Sequence, residues 1–161
     1  RGTCGFCVGG RPAVSCGCEA GKASCVQGTG HGGKALAKGR HPRLRQRLEL
    51  RDLADRAAKT LPERVRHFAP LVGVSYGRIT IRSQRTRWGS CSSKGNLNFN
   101  CLLLLCPEAV QDYVVVHELC HRKELNHSPK FWAEVERICP DYKTHRKWLK
   151  ENGSSLIGRL P

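Results

Sequence analysis

The segment HELCHRKELNH, His117 to His127, limits what this chain can fold into more than any other stretch. His117 and His121 stand four apart, and on an α-helix such positions share a face, so two imidazoles can meet one ion. A helix is therefore required here. Val110, Tyr113, Val114, His117 and His121 recur at spacings of three or four, which places both histidines on a core-facing stripe. Two histidines and a glutamate buried together cost too much without a ligand, so the segment predicts a bound metal. The pattern His-Glu-x-x-His points to zinc. Three protein ligands with one open position make a catalytic site rather than a structural one. Glu118 falls beside that open position, where it acts as a general base. Zinc lowers the pKa of a bound water and polarises a carbonyl, which is the chemistry of peptide hydrolysis. His127, expected just past the helix end, is the first candidate for third ligand. Glu134 and Glu136 on the following helix, and more distantly His145, are its rivals.

The surrounding sequence supplies elements to hold such a helix. From about Arg43, Leu44, Leu48, Leu53, Ala57, Leu61 and Val65 recur with helical spacing, as one long helix or as two that meet at Pro62. Pro70 and Gly73 end that region. Ile79 and Ile81 alternate with polar neighbours as in a strand. TRWGSCSSKGNLNFN reads as a hairpin turning near Ser93-Lys94-Gly95, with Leu97 and Phe99 on one face and Asn96, Asn98 and Asn100 on the other. CLLLLC is expected as a short apolar strand or an approach to the next helix. Pro107 and Glu108 open the motif helix, which is expected to run on through Glu124. Ser128 caps the next helix, with Pro129 in its first position. A last helix begins near Asp141, and Asn152-Gly153 is expected to stop it.

Composition sets the first 40 residues apart. They are rich in Gly, Ala, Ser and Cys, with one acidic residue and few large apolar ones, and are expected to be a disordered or irregular tail. Residues 41–161 then form the catalytic domain. Five of the ten cysteines lie in the tail, and Cys4, Cys7, Cys16 and Cys18 have poor spacing for a zinc ribbon. Cys91, Cys101, Cys106, Cys120 and Cys139 sit in apolar stretches and are expected to be reduced and mostly buried. With no secretory pattern and no bilayer-length apolar run, the expected location is cytoplasmic, away from membranes. The net charge of +15 favours polyanionic partners. It supports a second reading, a basic nucleic-acid-associated module with a structural zinc.

RTRWGSCSSKGNLNFN, DYVVVHELCH, NHSPKFW and PDYKTHRKWLKENG together resemble the YgjP-like metallopeptidase family, which is related to the SprT-like and WLM zinc proteases. The resemblance covers about residues 44–157. It implies an α+β, zincin-like fold: a small antiparallel or mixed sheet beside an active-site helix, with two or three further helices. It also implies zinc on His117, His121 and His127, Glu118 as general base, and a polypeptide substrate. Family members carry a β-rich segment before the first helix, so the domain is expected to be incomplete on its N-terminal side. In related peptidases an edge strand pairs with extended substrate, and the Trp88–Asn100 hairpin is the candidate here. Arg87 and Trp88 are candidates for shaping the cleft, with a core position as the alternative for Trp88. Asn98 is a candidate for substrate contact, and Tyr142, His145 or Asn98 for oxyanion stabilisation. SprT-like and WLM relatives act near DNA, which adds the possibility of a protease recruited to DNA-bound proteins.

Overall fold

The computed structural model describes the backbone of residues 4–7 and the whole of residues 42–158. Helix α1 spans Pro42–Val72, and strand β1 spans Cys4–Cys7. Strands β2 (Ile79–Arg82), β3 (Arg87–Cys91) and β4 (Leu97–Asn100) follow. A 3-10 turn, Cys101–Leu105, leads to helices α2 (Glu108–Cys120), α3 (Pro129–Ile138) and α4 (Tyr142–Ile157). The class is α+β. No helix among the described residues is long and apolar enough to cross a membrane.

α1 buries Leu53, Ala57, Leu61, Val65, Ala69 and Val72, nearly all in steps of four. Pro62 and Pro70 lie inside the helix and do not break it. A proline in a helix interior costs about 3 kcal/mol; here apolar contacts on both sides of Pro62 keep the two segments in one phase. Gly73, at φ 78°, ends the helix, and its N–H donates to the Ala69 carbonyl at 2.9 Å. Leu44 and Leu48, expected on the buried stripe, are exposed, because the first turns of α1 extend past the core.

The sheet runs in the order β1-β3-β4-β2. β3 and β4 form the expected antiparallel hairpin with Gly89 opposite Phe99 and Ser90 opposite Asn98, while β2 lies parallel to β4. Gly95, at φ 85°, supplies the left-handed residue of the turn. β1 pairs antiparallel with β3, Gly5 opposite Ser90. Two expectations change here. Four residues of the stretch read as irregular form a strand, because their backbone finds a partner in β3. The hairpin read as an edge is interior, since β1 covers the outer side of β3. The rest of residues 1–40 and the side chains of Cys4, Cys7, Cys16 and Cys18 lie outside the described residues.

CLLLLC is the 3-10 turn rather than a strand. Asn100 caps it by accepting from the Leu102 N–H at 3.2 Å, while its own amide donates to the Gln84 and Arg87 carbonyls at 2.6 and 3.0 Å. α2 is buried continuously from Tyr113 to Cys120, enclosed by α1, α3, α4 and β3. Such a helix is apolar around most of its circumference because no face meets water. Arg64 of α1 ties the two helices by pairing with Asp112 and Glu108. Gly153 does not stop α4. A Cβ built there would lie 3.2 Å from Trp88 Cζ2, so the glycine lets helix and sheet approach closely, and the helix continues to Ile157. Cys91, Cys101, Cys106 and Cys120 are free and buried, and Cys139 is free and partly buried.

Candidate active site

α2 ends earlier than its sequence pattern implies. His121 is its C-cap, and the chain turns through Arg122 and Lys123, whose N–H groups donate to the Leu119 and Cys120 carbonyls at 2.9 Å each. The turn swings the Glu124 carbonyl back to His121 Nδ1, 3.1 Å away. That carbonyl only accepts, so Nδ1 carries the proton and Nε2 is left with its lone pair. His121 Nε2 is buried and has no hydrogen-bond partner among the described residues. Arg122 locks the turn by donating to the Ser75 and Ser93 carbonyls, both at 3.0 Å, which joins the end of α2 to the hairpin turn.

Ser128 then starts α3 as expected, its hydroxyl accepting from the Phe131 N–H at 3.3 Å. The short link before it carries His127 back over α2. His127 Nε2 lies 3.1 Å from His117 Nε2. One ligand atom from each of His117, His121 and His127 falls within 4.8 Å of the others, the one such metal-competent group among the described residues. Two nitrogens bound tetrahedrally at 2.0–2.1 Å stand about 3.3 Å apart, so the donor set fits a small tetrahedral ion. Burial lowers the pKa of all three histidines, most for His117, where His121, His127 and Arg146 add to it. Neutral imidazoles are the form that binds metal.

Glu118 is fully buried, between α2 and β3. Desolvation raises its pKa well above the ordinary carboxylate value, and the charge of Arg87 offsets part of that. Neither carboxylate oxygen has a hydrogen-bond partner among the described residues. Gly89 makes the room: a Cβ there would sit 2.7 Å from Glu118 Oε1 and Cγ. A glycine inside a strand often marks close approach by another group, and this was the available signal for Gly89. Cys120, the thiol inside the motif, is held up to about 12 by burial and so stays protonated.

The remaining candidates fall elsewhere. Trp88 is fully buried against Gly153 and belongs to the core rather than to a cleft. Asn98 donates to Ser90 Oγ at 3.3 Å, and Ser90 points to the opposite face of β3 from Gly89. Asn98 is thus on the far side of the sheet from Glu118. Glu134 is engaged by Lys123 and Arg137 at 2.9 and 3.1 Å, and exposed Glu136 pairs with Lys143 at 3.5 Å. His145 lies near Tyr113, 6.3 Å between ring centroids. Tyr142 is stacked on Trp132 at 5.2 Å, and Trp132 on His127 at 5.6 Å. This aromatic wall beside the third histidine carried no sequence signal beyond ordinary core spacing.

The sequence model of a family described as YgjP-like, metallopeptidase domain, matches residues 18–152. The match begins inside the stretch that composition set apart. Among solved structures, the chain is similar to the crystal structure of the metallopeptidase zymogen of Pyrococcus abyssi abylysin. The TM-score is 0.52 at 24% identity, over 57% of this chain and 94% of that one, a likeness of fold. No curated protein matches. With 135 consecutive positions spanned by that model, and the three clustered histidines within them, the chain belongs to the YgjP-like metallopeptidase family.

Proposed function

We propose that this protein is a zinc-dependent peptidase in which His117, His121 and His127 hold the metal and Glu118 is the general base. The observation that carries this reading is the convergence of three imidazoles beside a buried carboxylate that has no hydrogen-bond partner among the described residues. A structural site has no use for such a carboxylate, whose burial costs stability. Zinc held there supplies a low-pKa water and polarises the scissile carbonyl. Glu118, with its pKa raised by burial, takes a proton from the attacking water and returns it to the leaving amine. Gly89 and Arg87 on β3 set the space and the charge around that carboxylate. The Glu124 carbonyl fixes the tautomer of His121, as groups behind metal ligands commonly do.

Metal analysis of the purified protein beside His127→Ala and Glu118→Gln tests this. Wild type should carry one zinc per chain and cleave peptides. His127→Ala should lose the metal. Glu118→Gln should keep it and lose activity by about 10²- to 10⁴-fold. Wild type without stoichiometric zinc, or an active Glu118→Gln, would remove the proposal.

A further inference from the structure

α4 brings an exposed cation to the aromatic wall of the site. The Arg146 guanidinium carbon lies 4.9 Å from the Trp132 ring centroid. Trp132 in turn stacks on His127 at 5.6 Å and lies 5.8 Å from His117. After burial, and for His117 its neighbouring histidines, the Arg146 charge is a further cause that keeps His117 and His127 neutral.

Arg146 makes no ion pair among the described residues. Its helical neighbours at three and four residues are Tyr142, Lys143, Leu149 and Lys150, none acidic. Of the acids nearest in sequence, Glu151 pairs with Lys147, and exposed Asp141 makes no ion pair with Arg146. Arg87, the other arginine that acts on the site, faces Glu118. The three imidazoles bring no negative charge of their own. What remains is a guanidinium over the face of the Trp132 ring, with no acid paired to it among the described residues. That is a preformed receptor for a carboxylate, and stacking spares it much of the entropy a free side chain loses on binding.

We propose that Arg146 is a specificity residue that receives a carboxylate of the peptide substrate, so that the enzyme selects peptides that present one there. This rests on the peptidase reading and names its substrate class. The carboxylate is either an acidic side chain near the scissile bond or the free C-terminus of the peptide, and the experiment separates them.

The test uses full-length, zinc-loaded Glu118→Gln protein, which binds without turnover, and three fluorescein-labelled octapeptides of otherwise common sequence. One is amidated with a central Glu, one is amidated with Gln there, and one has Gln and a free C-terminal carboxylate. Anisotropy titrations should show one of the two acidic peptides binding about tenfold more tightly than the neutral one. Which of them does so identifies the source. Adding Arg146→Gln, which keeps a planar side chain over Trp132, should abolish the preference; Arg146→Lys should keep part of it. Arg146 is exposed, so thermal melts of these variants should be unchanged.

Equal affinity for all three peptides overturns the inference. So does a preference that survives Arg146→Gln, which would assign it to the general +15 field. A single-stranded oligonucleotide that binds as tightly as the acidic peptide, and is as sensitive to Arg146→Gln, would replace carboxylate by phosphate and overturn it too. Zinc content and wild-type hydrolysis of the neutral peptide read the peptidase assignment separately. If those hold and the preference is absent, only the role of Arg146 falls.

Discussion

α1 and α2 face each other across the core and are built on opposite terms. The six buried residues of α1 are all apolar and lie in one row, with charged residues around the rest of the helix. α2 is buried on every side in its second half, and that half carries His117 and Glu118, with His121 as its C-cap. Burial of the α1 row stabilises the fold. Burial of Glu118 without a hydrogen bond works against it. The comparison teaches that the chemistry is set into the most enclosed element and is tolerated there because a plain helix packs along it. The cost and the candidate site sit in one helix beside that helix's own apolar core residues, while the α1 row adds burial that contains no polar group.

The comparison breaks most directly at Leu61, which is fully buried in the middle of the α1 row. Leu61→Ala should destabilise the protein by about 2–5 kcal/mol, read as a lower urea midpoint. A loss below 1 kcal/mol would mean that α1 does not carry the load assigned to it. Glu118→Gln should act in the opposite direction. The folded protein retains the Glu118 proton above 4.5, where an unfolded chain gives it up. The stability of metal-free wild type therefore falls as pH rises from about 4.5 towards the raised folded value, and glutamine removes that loss. In EDTA-treated protein the variant should melt higher than wild type, by a margin that widens between pH 5 and pH 7. A margin that does not change with pH would show that burial of the charge is not the cause. Leu48→Lys, in the exposed first turns of α1, should shift stability by no more than about 0.5 kcal/mol in the same melts. A larger loss would extend the load-bearing row towards the N-terminus.

Much of the fold was readable one element at a time. The histidine phase on α2, the Ser128 cap with Pro129 after it, the Gly95 turn and the α1 row from Leu53 all depend on residues within a few positions of one another. Readings failed where a distant contact overruled a local signal. Asn152-Gly153 looks like a helix stop, but Gly153 is small because Trp88 presses on α4. Trp88 was open between cleft and core, and the same contact places it in the core. Residues 4–7 have the composition of an irregular tail, yet an available strand in β3 orders their backbone. The motif helix was expected to run through Glu124, and Arg122 instead anchors a turn to the Ser75 and Ser93 carbonyls.

The sequence by itself therefore determined the candidate ligand pair His117 and His121, the carboxylate between them and the family, because helical spacing and ordered motifs are properties of neighbouring residues. Only the tertiary structure decided that His127 joins the group while Glu134 is held by lysine and arginine, that Gly89 leaves the space for Glu118, and that Arg146 lies over Trp132 with no ion pair among the described residues. Each of those depends on elements far apart in the chain, and their meeting is set by which apolar faces must pack together to leave water.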